Sequence, residues 1–235
     1  MGSNIRRGVL ITFEGIDYSG KSTQSSLLKE YIRQKGLPVL STREPGGTPI
    51  GEALRKILKS PKDEFHEISK PSVLNNNSSN EAETLMYLTS RVELIKQIIE
   101  PNIRKGINIV LDRFMDSTIA YQGWGKFKGD PKKIEFIDAA HRFILAELFP
   151  DLTFLIDIDY EEMCRRKAKE EGRPPEEYFE SLEKEFFVRA RKGFLWMAER
   201  EPARFIVIDG TQPEEVIFEQ YIKPKVDALL RVRSD

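Results

Sequence analysis

The chain has 235 residues, 40% of them hydrophobic and 32% charged, with a formal net charge of −1. This balance suits one soluble globular domain and excludes a broad cationic surface, so neither nucleic acid nor a membrane is expected as a partner. A single cysteine, Cys164, excludes an intramolecular disulfide and fits a reducing, cytoplasmic setting.

Met1 to Arg7 lead into an apolar run too short for a signal peptide, and Arg6 stands where N-myristoylation would need Ser or Thr. No stretch approaches the ~20 apolar residues of a membrane span. The first expected strand, 9–13, runs into Gly15-Ile16-Asp17-Tyr18-Ser19-Gly20-Lys21-Ser22, and a helix is expected over 21–35. That octapeptide satisfies G-x-x-x-x-G-K-[ST], in the strand-to-helix context the motif requires. Its glycines let backbone N–H groups curl around an anion, and the helix N-terminus adds positive dipole. Lys21 then reaches the β- and γ-phosphates of a nucleoside triphosphate while the Ser22 hydroxyl ligates Mg²⁺, so the expected ATP contacts run from Gly15 through Ser22 to Thr23.

After a strand at 39–41 comes Thr42-Arg43-Glu44-Pro45-Gly46-Gly47-Thr48, whose glycines allow close backbone approach and whose Arg43 brings a cation to the same sheet edge. A helix follows over 49–59. Residues 60–80, ending in an Asn/Ser-rich run, read as a surface insertion or mobile loop. The helix expected at 81–105 carries an apolar stripe of Leu85, Leu88, Val92, Ile95 and Ile99, with Tyr87 and Arg91 flanking it and Pro101 suggesting a kink or break in the last turn. The strand at 107–111 ends in Asp112, as a Walker-B-type element requires, which places that carboxylate near the phosphate loop. Arg113 follows at once, and Ser117, Thr118, Tyr121 and Gln122 share one face of a short helix at 114–122.

The second half repeats the rhythm, with helices at 131–149, 159–171, 177–200 and 213–231 and strands at 152–156 and 205–208. Such alternation is the signature of βαβ units and a buried parallel sheet with helices on both faces. The charged segment 167–177, with Gly172, Pro174 and Pro175, is where a lid would hinge. His66 and His141 are isolated in sequence and take no metal or base role, and Cys164 reads as a packed small residue.

Taken together, these segments resemble the thymidylate kinase (dTMP kinase) family from Val9 to about Leu230. The likeness rests on Glu14 through Ser22, on T-R-E-P-G-G-T with Pro49-Ile50-Gly51, on the stretch from Glu83 to Arg91, and on Asp112-Arg113-Phe114 continuing to Ser117 and Ala120-Tyr121-Gln122-Gly123. Pro150-Asp151-Leu152-Thr153 and Asp209-Gly210-Thr211-Gln212-Pro213 extend it. The resemblance implies a three-layer α/β/α P-loop NTPase fold with a five-stranded parallel sheet and a helical lid. One kinase domain would occupy 1–235, with the lid at about 160–185 and the insertion at about 60–80. It implies transfer of the γ-phosphoryl of ATP to dTMP with Mg²⁺ held by Ser22 and Asp112, and a homodimer packed through helices such as the third.

By that likeness Asp17 contacts the acceptor 3′-hydroxyl, Tyr87 stacks on thymine, Arg91 reaches the base or acceptor phosphate, and Arg113 binds that phosphate. Ser117, Thr118, Tyr121 and Gln122 line base and deoxyribose, with Tyr121 crowding the 2′ position. Arg43 supports the phosphate end, and Thr211 and Gln212 lie near adenine. Lys21, Asp112 and Arg113 form the catalytic set. The chain departs from the family in one respect: Tyr18 fills the loop position, and Tyr178 the lid position, where members place an arginine on the transferring phosphate. Arg173 is the nearest substitute, with Arg165, Arg166 and Lys169 on the preceding helix. Two rival readings are a deoxynucleoside kinase, which would carry a Glu-Arg-Ser-type motif, and a catalytically weak nucleotide-binding regulatory module.

Overall fold

The computed structural model describes residues 7–59, 78–172 and 184–232. Arg173, Tyr178 and most of the 60–80 insertion lie outside them. Five strands, β1 (Leu10–Glu14), β2 (Val39–Arg43), β3 (Asn108–Asp112), β4 (Leu152–Asp157) and β5 (Phe205–Asp209), form one parallel sheet in the order β2-β3-β1-β4-β5. The central strands are apolar almost throughout because both their faces are covered.

Side-chain alternation along β1 sorts the layers. Val9, Ile11 and Phe13 pack with Leu28 and Ile32 of α1 (Lys21–Gln34) and with Ile217, Phe218, Ile222 and Val226 of the last helical segment. Leu10 faces the other way, with Ile109 and Leu111, onto Leu94, Ile95, Ile99 and Ile103. The register sets Arg43 and Phe13 on either side of Asp112, so the carboxyl ends of β1, β2 and β3 open at one rim. That rim is where an open α/β sheet binds its ligand.

Helix α2 (Pro49–Lys59) follows the T-R-E-P-G-G-T segment, and α3 (Asn80–Leu94) begins on a Ser79 cap that accepts from the Ala82 N–H. Here the structure departs from the periodicity reading. Leu85 is 52% exposed, whereas Arg91 is 1% exposed and stands in the buried face with Thr84, Leu88 and Leu94. Periodicity registers apolarity alone, whereas a cation with enough acceptors can occupy a core position. Of the kink or break expected at Pro101, the break does not occur. A π turn (Ile95–Ile99), in which the Glu100 N–H bonds Ile95 O, precedes the proline, and an α turn (Glu100–Ile103) carries the helix on.

Beyond β3 the chain forms α4 (Met115–Thr118), which opens into a π-helix (Ile119–Lys126). Next come α5 (Pro131–Leu145), capped by Asp130, then α6 (Tyr160–Glu171) and α7 (Lys184–Arg200). The α5 helix stops short of the expected 149 because Ala146 turns to φ 52°. A third apolar cluster lies where α6, α7 and the π stretch meet β4 and β5, built on Leu155, Met163, Phe194 and Met197. The π stretch joins this cluster through Ile119 and Ala120, and Tyr121 packs against it as well.

Candidate active site

The phosphate loop leaves β1 through Gly15, at φ 139°, where a Cβ would sit 2.3 Å from Ile156 O on β4, so no side chain fits. Lys21 folds into the loop and donates to Ile16 O (2.7 Å) and Ser19 Oγ (3.2 Å). Burial, aided by the Arg113 charge, pulls its pKa down to about 7 against the pull of Asp17, Asp112 and Glu14. An arriving phosphate would reverse that loss. Ser22 Oγ donates to the Asp112 carboxylate, which unites the loop with the end of β3 as the sequence reading expected.

Two hollows meet at this loop. One is lined by Asp17, Glu44, Pro45, Tyr87, Arg91, Arg113, Ser117, Thr118, Tyr121 and Gln122. The other is lined by Asp17, Tyr18, Lys21, Ser22, Arg43, Glu44, Arg55, Asp112 and Arg113. Every residue expected around the acceptor therefore falls in the first hollow except Arg43, which falls in the second. A further recess against the phosphate loop is lined by Gly20, Thr23, Arg166, Glu170 and Glu214. Thr211 and Gln212 line none of these; their side chains bond Asp209 and Tyr221, and the neighbouring Gly210 O accepts from Arg166.

A thymidylate kinase family model matches residues 13–221. The chain belongs to the thymidylate kinase family. Thymidylate kinase from Chlorobium chlorochromatii is 35% identical over 232 residues, covering 95% of this chain and 96% of that one. The Neisseria gonorrhoeae thymidylate kinase is 40% identical over 204 residues, covering 86% and 88%. The crystal structure of thymidylate kinase from Ehrlichia chaffeensis superposes with a TM-score of 0.65 at 31% identity, covering 95% of this chain and 99% of that chain. The α/β fold with its five-stranded parallel sheet agrees with the P-loop NTPase fold expected of a thymidylate kinase family member. Among the described residues, no helix is long and apolar enough to cross a membrane.

At the junction of the two hollows stands Arg113, at φ 70°, a strained backbone for a side chain of its size. Its guanidinium donates to Asp17 Oδ1 (2.5 Å), Gly15 O (3.0 Å) and Ser117 Oγ (3.2 Å) and lies 5.0 Å from the Tyr121 ring centre. Burial alone would lower its pKa, but the carboxylates of Asp17 and Asp112 hold it raised, so the charge is permanent. Tyr121 is itself kept protonated by burial. Burial, seconded by Glu83, likewise pushes Tyr87 up to about 12.

Arg91 reaches the acceptor hollow, but its donors are engaged by protein. Nε bonds Glu44 Oε2 (2.8 Å), Nη1 bonds Thr118 Oγ1 (2.8 Å) and His141 Nε2 (2.7 Å), and Nη2 bonds Phe114 O (3.0 Å) and the same Glu44 carboxylate. The His141 side chain, isolated in sequence, is therefore a buried partner of the site. Burial, with Arg91 and Arg204 beside it, drives its pKa well below the usual value, so the neutral ring accepts through Nε2. Arg91 ties the ends of β2 and β3 to α5.

Sequence reasoning missed three further groups. Arg55, on α2, donates to Pro45 O (2.8 Å) and faces the phosphate hollow; burial, with Arg43 near it, lowers its pKa. Its signal was the helical step of four from Gly51 in the T-R-E-P-G-G-T continuation. Arg204 holds Asp116 through two 2.8 Å bonds, both side chains being buried, and no local pattern marks that pair. Glu14, fully buried at the end of β1, accepts from the Phe114 N–H (2.7 Å) and bonds Ser117 Oγ (2.6 Å). Burial first, and Asp116 second, push its pKa up to about 8.

That last value has a stability consequence. Between about pH 4.5 and 8, folded Glu14 keeps a proton that the unfolded chain has released. Its contribution therefore falls as pH rises through that window and levels off above it. Glu14→Gln cannot ionise, so the variant should lose less Tm than the wild type between about pH 6 and about pH 9 in thermal denaturation. Equal losses would show that Glu14 is ionised throughout.

Proposed function

We propose that this chain transfers the γ-phosphoryl group of ATP to dTMP, giving dTDP and ADP for dTTP synthesis in the cytoplasm. The observation that carries the reading is the convergence of Lys21, Arg43, Arg55 and Arg113 on one hollow joining a phosphate loop to an aromatic, hydroxyl-lined cavity. Family membership names the acceptor class, and the four cations suit an acceptor that already carries phosphate. This favours a monophosphate over the nucleoside of a deoxynucleoside kinase. Tyr87 stacks on thymine, Asp17 meets the 3′-hydroxyl, and Tyr121 crowds the 2′ position. Ser117, Thr118 and Gln122 line base and sugar, while Thr211 and Gln212 border the adenine side.

Phosphoryl transfer through a loose transition state needs alignment and charge stabilisation, with little covalent help. Lys21 meets the donor phosphates and Arg113 the acceptor phosphate, each held by the contacts already described. Ser22 and Asp112 offer two hard oxygen donors side by side. Two protein oxygens suit Mg²⁺, an ion that fills the rest of its shell with waters and substrate phosphates. When bound with ATP, Mg²⁺ would neutralise charge across the β- and γ-oxygens.

Arg55 is the candidate for the cation that Tyr18 does not supply. It donates to Pro45 O and faces the hollow that also holds Lys21, Ser22 and Arg113, while Arg173 on the lid segment is the alternative source. The proposal includes one kinase domain over 1–235, with a lid at about 160–185 and an insertion at about 60–80.

A homodimer is part of the proposal. Leu85 on α3 and Phe136 and Phe143 on α5 are 52%, 52% and 88% exposed, and the Lys133–Glu81 ion pair (2.6 Å) joins the two helices. Light scattering should return twice the chain mass, and a monomer at micromolar concentration would remove this part.

A coupled ADP assay with ATP and Mg²⁺ should give dTDP from dTMP and little product from thymidine. Preferential use of thymidine would move the chain to the deoxynucleoside kinases, and tight binding of both substrates without turnover would make it a regulatory module. Arg55→Ala should lower kcat/KM for dTMP by about 10²-fold or more. If Arg173→Ala alone produces that loss and Arg55→Ala does not, the lid supplies the missing charge.

A further inference from the structure

Glu14 does not line either hollow, yet it sits directly behind the wall they share. Its two carboxyl oxygens are divided between the Phe114 N–H (2.7 Å) and Ser117 Oγ (2.6 Å). Ser117 in turn receives Arg113 Nη1 (3.2 Å) and faces the acceptor cavity. The direction of this chain is set by one proton. With Glu14 ionised, Ser117 must give its only hydrogen backwards to the carboxylate, and what it presents to the cavity is an acceptor oxygen. With Glu14 protonated, the carboxyl O–H donates to Ser117 Oγ, and the Ser117 hydrogen is released towards the cavity. The same protonation removes a buried negative charge from beneath a site built for an anion.

We propose that Glu14 is a positioning residue for acceptor binding, acting as a neutral carboxyl that donates to Ser117 Oγ and turns the Ser117 hydroxyl towards the acceptor. The inference rests on the reading of dTMP as acceptor. The surroundings support the neutral form. Asp116 faces Glu14 from α4 with a second carboxylate, itself committed to Arg204. The opposing cation is Arg113, drawn off to Asp17 at 2.5 Å. Lys21 from α1 and Tyr121 from the π stretch also sense Glu14. Burial and Asp116 together place its proton loss at about pH 8.

The test is the pH dependence of the two Michaelis constants in wild type, Glu14→Gln and Ser117→Ala. Glutamine fits the protonated arrangement, since its Oε1 accepts from Phe114 N–H and its amide donates to Ser117 Oγ. In the wild type the KM for dTMP should rise by up to about tenfold between about pH 7 and about pH 9, as the neutral form is depleted. The phosphate of dTMP does not titrate there, its second ionisation lying near pH 6. In Glu14→Gln that KM should stay low and flat. In Ser117→Ala it should start higher and lose most of its slope. Lys21 titrates in the same region but meets the donor, so any slope it causes belongs to the KM for ATP.

A slope for dTMP as steep in Glu14→Gln as in wild type overturns the proposal, as does a Glu14→Gln variant that binds dTMP worse at pH 7. A Glu14→Gln that changes only Tm, with both Michaelis constants unmoved, makes the residue purely structural. If the wild type makes no dTDP at all, the reading of the reaction has failed instead, and the two failures are told apart by that first measurement.

Discussion

The guanidinium of Arg91 is the constraint on which the acceptor side depends. Placing a full charge in a core position costs several kcal/mol of lost hydration, and only a complete set of partners offsets it. Here the partners come from Glu44 beyond β2, Phe114 and Thr118 beyond β3, and His141 on α5, all gathered around one residue of α3. Such a set has one geometry, because a displaced partner strands a buried charge. Four chain segments are thereby fixed against one another before any ligand arrives. The arrangement contributes definition of the cavity more than net stability, as an apolar residue of like volume would have filled the space at lower cost.

A second buried pair repeats the device one layer deeper. Arg204, just before β5, grips Asp116 with two bonds and also reaches Thr153, which shares a hydrogen bond with Thr12 of β1. Burial would lower the Arg204 pKa, yet Asp116 and Glu201 keep it raised, so the guanidinium remains charged. The turn that carries Arg113 in its strained conformation is thus pinned from below by Arg204 and from the side by Arg91. Strain of this kind, about 1–3 kcal/mol, persists only where the surroundings over-determine it. Its effect is to hold a permanent cation at the junction of the two hollows.

The layers of this site differed in how legible they were. The strands, the phosphate loop and the Asp112-Arg113 pair could be read from the chain because each has a local signature: an apolar run, a spaced glycine motif, a carboxylate at a strand end. The five-strand parallel sheet followed from their alternation. What could not be read was pairing at long range. Arg91 was placed at the edge of the core, since apolarity is the quantity that periodicity measures and nothing local reveals four partners 23 to 50 residues away. His141 was set aside for the same reason, its meaning residing wholly in Arg91. Arg55 lay in plain view on an amphipathic helix, where a solvated arginine is the common case. Leu85 failed in the opposite sense, as an apolar residue at the right phase that the fold leaves in the open.

Charge balance ties these observations together. Without substrate, Lys21, Arg43, Arg55 and Arg113 would repel one another across a narrow hollow, and the chain counters them with its own anions. Asp17 takes Arg113, Glu52 takes Arg43, and Lys21 turns to carbonyl and hydroxyl oxygens of its own loop. On binding, the substrates bring several negative charges, and anions that helped the empty site become surplus. Asp17 and Glu52 are half exposed, so solvent can screen them. Glu14 is sealed from water, and for it the remaining way to shed charge is to hold a proton. A buried carboxyl with a raised pKa is therefore what an anion site of this construction requires beneath it, since the same burial that makes its charge costly to the empty protein makes its neutrality useful to the filled one.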